Sequence, residues 1–139
     1  MNVIVRDKGF GADDWTGTFT GPDGLAVISA ARGLDLPSDT DPGILAGRLE
    51  GIDLIRVDFP SFADGRGFTI ARQLRLMGYG RRLRARGHVI ADQYAMARRA
   101  GFDEVEISDD LATRQPEDQW LYRANWRAFD YQSRLRRAL

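Results

Sequence analysis

Residues 53–59 read Asp-Leu-Ile-Arg-Val-Asp-Phe. The apolar side chains Ile55, Val57 and Phe59 alternate with the charged side chains Arg56 and Asp58. A period of two is typical of a β-strand with one face buried and the other polar. The pattern therefore predicts a strand over 53–59.

The surrounding residues, 52–108, predict a βαβαβ unit. Apolar side chains at helical spacing predict a helix from about 67 to 77. Further strands are predicted over 83–86 and 104–107, with a helix over 88–100 between them. Strands that alternate with helices of this length indicate a parallel sheet with right-handed crossovers. The fold class is therefore α/β, arranged as an open sheet or as a partial barrel.

Residues 1–33 predict an N-terminal β layer. Short strands are expected at 3–5, 16–20 and 25–29, and a Gly-Pro-Asp-Gly turn joins the last two. Proline presets φ in such a turn and glycine accepts a positive φ.

Two further helices are predicted outside the βαβαβ unit. The first begins at Asp41-Pro42, an N-cap residue followed by proline, and ends near Gly51. The second is an aromatic helix at the end of the segment 109–139. We expect it to pack on the core or at an interface. If it is not docked on its own domain, Trp120 and Trp126 are the residues that would anchor a partner.

The composition indicates one soluble domain over residues 1–139. Hydrophobic residues make up 43% of the chain and charged residues 29%, and the formal net charge is zero. A balanced charge gives no general attraction to nucleic acid or to anionic lipid. No apolar run approaches the roughly 20 residues that span a bilayer, and the first residues do not resemble a signal peptide. We therefore expect no membrane or nucleic-acid partner and a cytoplasmic location.

Cysteine is absent, and His88 is the only histidine. These counts exclude disulfides, Cys-x-x-Cys redox pairs, and iron–sulfur or zinc sites held by cysteine. A histidine-rich metal site is excluded as well. The sequence therefore predicts no metal site and gives no sign of a cofactor.

The three central strands have an unusual second face, because charged residues alternate with apolar ones along each strand. A parallel strand that is buried on both faces usually reads as a continuous apolar run. Three interpretations remain open. The face is solvated or half covered by the N-terminal layer, it lines a polar cavity, or it is a subunit interface. The charged residues are Arg56 and Asp58, Arg84 and Arg86, and Glu104 and Glu106.

The segment 58–69 joins the carboxyl end of a strand to the start of a helix, which is where ligands bind in many α/β proteins. Asp64, Gly65, Arg66 and Gly67 predict an anion-binding site there, because a helix start presents free N–H groups and Arg66 adds positive charge. The third glycine of a dinucleotide fingerprint is missing. In the alternative interpretation Asp64 caps the helix and Arg66 pairs with Asp58 or Asp64.

A second strand–helix junction places His88 near the same edge. If residues 88–92 are helical, Asp92 lies one turn after His88, and a carboxylate there would orient the imidazole for acid–base catalysis. The alternative is a histidine with a structural hydrogen bond. No serine or threonine occupies a nucleophile elbow, so no triad is predicted.

Residues 62–72, Phe-Ala-Asp-Gly-Arg-Gly-Phe-Thr-Ile-Ala-Arg, resemble a bacterial family, the domain of unknown function numbered 934. The resemblance covers about residues 25–130 and is strongest over 54–107. Members of that family are described as oxidoreductases connected with sulfite reduction. The resemblance thus implies an association with assimilatory sulfite reductase.

The absence of cysteine limits the role that this chain could have in sulfite reduction. Sulfite reduction normally runs through sirohaem and an iron–sulfur cluster, which this chain cannot ligate through thiolates. We therefore expect an accessory protein of assimilatory sulfite reduction, which binds a small oxyanion or a partner such as sulfite reductase or another sulfur-assimilation protein. The first alternative is a small enzyme with acid–base residues at the strand ends, and the second is a structural homo-oligomer. In the enzyme the residues would be Asp58, Arg66, His88 and Asp92.

Overall fold

A single open sheet of seven strands runs through the described part of the chain, which is residues 2–22 and 32–129 of the computed structural model. The spatial order is β2-β1-β7-β6-β5-β4-β3. The strands are β1 (Asn2–Arg6), β2 (Gly9–Gly11), β3 (Thr18–Thr20), β4 (Arg32–Leu36), β5 (Leu54–Phe59), β6 (Arg82–Gly87) and β7 (Glu104–Ser108).

The predicted βαβαβ unit is confirmed, and it forms the centre of this sheet. Helix α1 (Arg66–Leu76) connects β5 to β6, and helix α2 (Tyr94–Ala100) connects β6 to β7. Strands β3 to β7 are parallel, whereas β1 lies antiparallel to both β7 and β2. Of the two predicted arrangements, the sheet has the open one. The N-terminal strands extend its two edges.

One face of the sheet packs on the helices and forms the apolar core. The alternating residues Ile55, Val57 and Phe59 of β5 are all buried in it. Gly67 at the start of α1 allows the helix to approach β5 closely, since a Cβ at this position would overlap the ring of Phe59. The glycine thus serves helix–sheet packing, which a larger residue would separate. Ile70, Ala71 and Leu74 complete the buried side of α1.

The prediction for residues 34–51 is wrong in two respects. Strand β4 was not predicted, although it pairs with β5 from Gly33 to Leu36. The helix after Asp41 is a single 3-10 turn, Pro42–Leu45. Its predicted start is correct, because the Asp41 carboxylate accepts the N–H of Gly43 at 2.9 Å. The predicted strand at 25–29 lies outside the described residues.

The predicted C-terminal helix is also wrong for the described residues. In its place are two short helices, α3 (Asp109–Arg114) and α4 (Glu117–Leu121), and a 3-10 turn, Trp126–Phe129. Trp120 is buried, and its indole N–H donates to the carbonyl of Gln115 at 2.9 Å. It therefore packs on its own domain. Residues 130–139 lie outside the described part.

Helix α2 begins later than predicted. Residues 91–93 form a 3-10 turn, and the α-helix runs from Tyr94 to its predicted end at Gly101, where φ is +120°. Across residues 2–22 and 32–129, no helix has the length and apolar character needed to cross a bilayer.

Candidate functional site

The second face of the sheet carries a network of ion pairs centred on Arg84 of β6. The side chain of Arg84 is fully buried. Its Nε donates to Glu104 at 2.6 Å and its Nη1 to Glu106 at 2.9 Å, both on β7. Its Nη atoms also donate to both carboxylate oxygens of Asp13 at 3.1 and 3.2 Å. All of these contacts are charge-assisted hydrogen bonds, the stronger kind.

Neighbouring arginines extend this network across five strands, and Arg6 of β1 joins it through Glu104 at 3.2 Å. Arg56 of β5 holds Asp35 through two bonds of 2.6 and 2.8 Å and reaches Glu106 at 3.1 Å. Arg82 donates to Glu104 at 2.8 Å and to Asp14 at 2.9 Å. We call the arginine network the set Arg6, Arg56, Arg82 and Arg84 with Asp13, Asp14, Asp35, Glu104 and Glu106.

The network fixes the charge states of its buried members. Burial by itself raises the pKa of Glu106, but a hydrogen bond from Asn2 and the charge of Arg56 outweigh it, so that the pKa lies below its ordinary value. Burial likewise acts to lower the pKa of Arg84, and the hydrogen bonds to Asp13 and the charge of Glu104 reverse this. Both groups therefore stay ionised at neutral pH.

Residues 9–20, which we call the covering segment, run from β2 at one side of the sheet to β3 at the other, and residues 12–17 between these strands lie over one part of the polar face. Asp13 and Asp14 bind the arginines, and the ring of Phe19 lies 3.7 Å from the Arg56 guanidinium carbon. Trp15 contacts Phe19 with a centroid distance of 5.8 Å. Of the three interpretations of this face, half coverage by the N-terminal segment describes what is observed. The uncovered part lies at the carboxyl ends of the strands.

Arg86 stands at the uncovered end, two residues beyond Arg84 on the same strand. Its side chain is 45% exposed, and its charged contact is one Nε–Glu106 distance of 3.3 Å. Among the described residues no acceptor bonds to its Nη atoms. Asp58 of β5 is its direct neighbour across the strands. The carboxylate of Asp58 has no hydrogen bond or ion pair within the same described part of the chain.

Two cavities open on either side of Arg86. The face cavity, about 230 Å³, lies on the polar face next to the covering segment. The edge cavity, about 260 Å³, lies beyond the ends of β6 and β7. The face cavity is lined by Gly21, Pro22, Asp35, Leu36, Pro37, Arg56, Asp58 and Arg86. The edge cavity is lined by Asn2, Phe62, Arg86, Gly87, His88, Glu106, Ser108, Leu111 and Arg114.

His88 enters the edge cavity from the turn after β6. Gly87 makes this turn with a φ of +114°, a value that glycine adopts without strain. The imidazole Nδ1 lies 3.3 Å from the carbonyl of Phe59, and the ring meets the Phe62 ring edge-on at 5.1 Å. If Nδ1 carries the proton, it donates to this carbonyl and leaves Nε2 free to accept.

The predicted pairing of His88 with Asp92 does not describe the structure. Residues 88–90 are not helical, so the spacing of four residues does not place the two side chains on one helix face. Asp92 instead pairs with Arg123 at 3.2 Å on the surface. The alternative interpretation, a histidine with a structural hydrogen bond, matches the bond to Phe59.

At the predicted anion site, the positive charge of Arg66 is paired with a carboxylate of the same chain, that of Asp64. The Asp64 carboxylate accepts the backbone N–H of Arg66 at 3.1 Å and both ends of its guanidinium at 3.0 and 2.8 Å. These bonds hold the pKa of Asp64 well below its ordinary value. Arg66 also donates to the Ser38 hydroxyl at 3.0 Å. This is the pairing of Asp64 with Arg66 that the alternative interpretation gave, although the N-cap residue of α1 is Gly65 and not Asp64.

The structure thus brings together residues that the sequence patterns did not connect. Asp58, Arg86 and His88 were predicted and do lie at one edge of the sheet. Ser108 and Arg114 were not predicted, because Ser108, the last residue of β7, lies just beyond the predicted strand 104–107 and Arg114 lies in the segment 109–139, where a loop was expected before the final helix. Within the described residues no cluster of three or more histidine or carboxylate side chains has the geometry to hold a metal ion.

Comparison with known protein families finds a match over most of the chain. The family described as "Bacterial protein of unknown function (DUF934)" matches residues 33–138. The chain belongs to this family. The matched region contains all but the first residue of β4, the whole of β5 to β7 and the two arginines of the edge cavity, Arg86 and Arg114, whereas the covering segment precedes it. Comparison with curated proteins finds no match.

Proposed function

We propose that this protein binds a small oxyanion in the edge cavity, as an accessory protein of assimilatory sulfite reduction. The observation that carries the proposal is the state of Arg86, whose Nη donors are unused among the described residues while its guanidinium lines the cavity. A planar guanidinium with free donors matches the paired oxygens of sulfite, sulfate or phosphate.

Other groups in the edge cavity suit the same ligand. Arg114 pairs with Asp110 at 3.0 Å in an exposed i,i+4 contact, the kind that contributes little and can be exchanged for a ligand. The Ser108 oxygen accepts the N–H of Leu111, which leaves its hydroxyl hydrogen free to donate. Glu106 also lines the cavity, but Arg56 and Arg84 balance its charge from the other side.

The link to sulfur rests on the family resemblance given by the residues around 62–72. It makes sulfite the first oxyanion to test. The absence of cysteine favours an accessory role over an electron-transfer role, because sirohaem and iron–sulfur centres are normally held through thiolates.

The experiment is a thermal-shift and calorimetric titration with sulfite, sulfate and phosphate at constant ionic strength. A ligand at 100 times its Kd stabilises the folded state by about 2.7 kcal/mol. We expect saturable binding that Arg86→Gln abolishes and Arg114→Gln weakens. Arg48→Gln is the matched control, since Arg48 is an exposed arginine that lines neither cavity. Arg66→Gln separates the edge cavity from the loop at 64–67.

Three outcomes would contradict the proposal. These are no response to any oxyanion, equal losses in Arg86→Gln and Arg48→Gln, or binding that only Arg66→Gln removes. The accessory role is tested separately, by sedimentation of the protein with purified sulfite reductase. Co-sedimentation of the two proteins supports that role, and independent sedimentation at micromolar concentrations rules it out.

A further inference from the structure

Asp58 and Arg86 form a charged pair that is held apart. They are direct partners in the register of β5 and β6, on the polar face of the sheet. Neighbouring strands lie about 4.8 Å apart, a separation at which opposite charges normally pair. Arg86 instead turns to Glu106 on its other side, and the Asp58 carboxylate keeps no partner in the described part of the chain.

Both members of this pair line the face cavity. The other arginine of that cavity, Arg56, is occupied by its two bonds to Asp35. Asp58 and the Nη atoms of Arg86 are therefore the charged groups that remain for a ligand. One is an acceptor with a negative charge, and the other is a donor with a positive charge.

Part of the wall of the face cavity is apolar, so it favours contact with the carbon atoms of a ligand over contact with water. Pro22 and Pro37 provide apolar surface next to Asp58. An inorganic anion gains nothing from contact with an apolar wall, and a carboxylate repels it. A small organic molecule with a carbon skeleton and a donor group makes contact with both.

We infer that the ligand of this site is a small zwitterion, an organic acid that also carries a protonated amine. Its acidic group binds Arg86 at the entrance to the edge cavity, its amine binds Asp58, and its carbon atoms contact the apolar wall of the face cavity. The inference deepens the proposed function, on which it rests, by naming the ligand class. An amino sulfonate or an amino acid has this arrangement of charges, and an inorganic oxyanion fills the acidic half alone.

The test compares ligands that differ by one amine. The pairs are aminomethanesulfonate with methanesulfonate, and glycine with acetate, titrated by calorimetry at neutral pH. In the wild-type protein we expect the amine to strengthen binding about tenfold, the value of one charge-assisted hydrogen bond on a partly exposed site. Asp58→Asn should remove this gain and leave the binding of methanesulfonate within about threefold.

Glu50→Gln is the matched control, because it removes an exposed carboxylate at a distance from both cavities. Asp58→Ser serves as a second variant, and thermal unfolding confirms that each variant is folded. Equal affinity for the amine and amine-free ligands overturns the inference, as does a tenfold gain that survives in both Asp58 variants. If methanesulfonate or sulfite still binds through Arg86 in that case, the oxyanion proposal stands. If nothing binds, both fail.

Discussion

Arg84 and Arg86 are the same residue type on the same face of the same strand, and their surroundings are opposite. Arg84 is fully buried and shares three carboxylates, whereas Arg86 is 45% exposed with one long contact. The difference comes from residues 12–17 of the covering segment, because Asp13 contacts Arg84 whereas the charged contact of Arg86 is to Glu106 of β7. This row of charges is thus divided into a buried part at Arg84 and a partly exposed part at Arg86.

The largest expected effect is the loss of stability on changing Arg84 to Met. The substitution leaves Glu104 and Glu106 buried without their central partner, and breaking a buried ion pair from one side costs about 3–5 kcal/mol. Urea unfolding of the variant and the wild type measures the difference. A loss below about 1 kcal/mol would show that Arg84 behaves like a surface residue, and the contrast with Arg86 would disappear.

A smaller loss is expected when the wild-type protein is acidified. The pKa of Glu106 is lower in the folded protein than its ordinary value of about 4.3, so the unfolded chain binds its proton first. Its contribution to the free energy of unfolding is complete above that ordinary value and is lost as the pH falls through the folded-state pKa. Urea midpoints measured from pH 7 to pH 3 test this sign.

The same titration distinguishes the two arginines. Arg84→Met removes a cation that keeps Glu106 ionised, so the stability of this variant should fall less steeply with acid than that of the wild type. Arg86→Met should keep a steep fall close to that of the wild type. If stability depends on pH in the same way in all three proteins, the arginine network is not the source of the pH dependence.

Weakening the contact between the covering segment and Arg84 should have an intermediate effect on the free energy of unfolding. Asp13→Asn keeps the size of the side chain and removes its charge, which weakens two hydrogen bonds to Arg84. Because Asp13 is partly exposed, we expect a loss of about 1 kcal/mol in the free energy of unfolding. The exposed Glu50→Gln provides the comparison, with an expected change within about 0.5 kcal/mol. Equal changes would mean that the contact to Asp13 does not hold the cover.

The smallest effect belongs to Arg86→Met. One exposed contact of 3.3 Å contributes little, so we expect the free energy of unfolding to change by no more than about 0.5 kcal/mol. The same variant should lose the binding of oxyanions. A large loss of stability would show that Arg86 is needed to hold the fold, as Arg84 is. Arg86 would then not be available as the main hydrogen-bond donor in the edge cavity.

The sequence predicted the alternation along the central strands well, and it did not predict which charges become buried. The spacing of Ile55, Val57 and Phe59 is local information, and so is the spacing of Arg84 and Arg86. The cover over Arg84 comes from residues about 70 positions earlier in the chain, and strand periodicity contains no signal for such a contact. Both arginines therefore looked alike in the sequence.

The errors elsewhere have similar causes. Strand β4 contains Gly33 and Asp35, residue types that β-strands disfavour, and its pairing with β5 overrides that preference. At the loop before α1, the glycines and Arg66 suggested a site for an external anion. In the structure the Asp64 carboxylate bonds to the Arg66 guanidinium, and the binding of an external anion at this loop stays a prediction. The sequence allowed both arrangements and did not choose between them.

The described sheet ends on each side in a strand of three residues, β2 and β3. Such short edge strands offer a second chain few unpaired backbone N–H and C=O groups with which to pair. Edge-to-edge addition of strands from other copies, as in a fibril, is therefore disfavoured at β2 and β3. At high concentration, copies that do associate should therefore meet through side chains, and dilution should separate them.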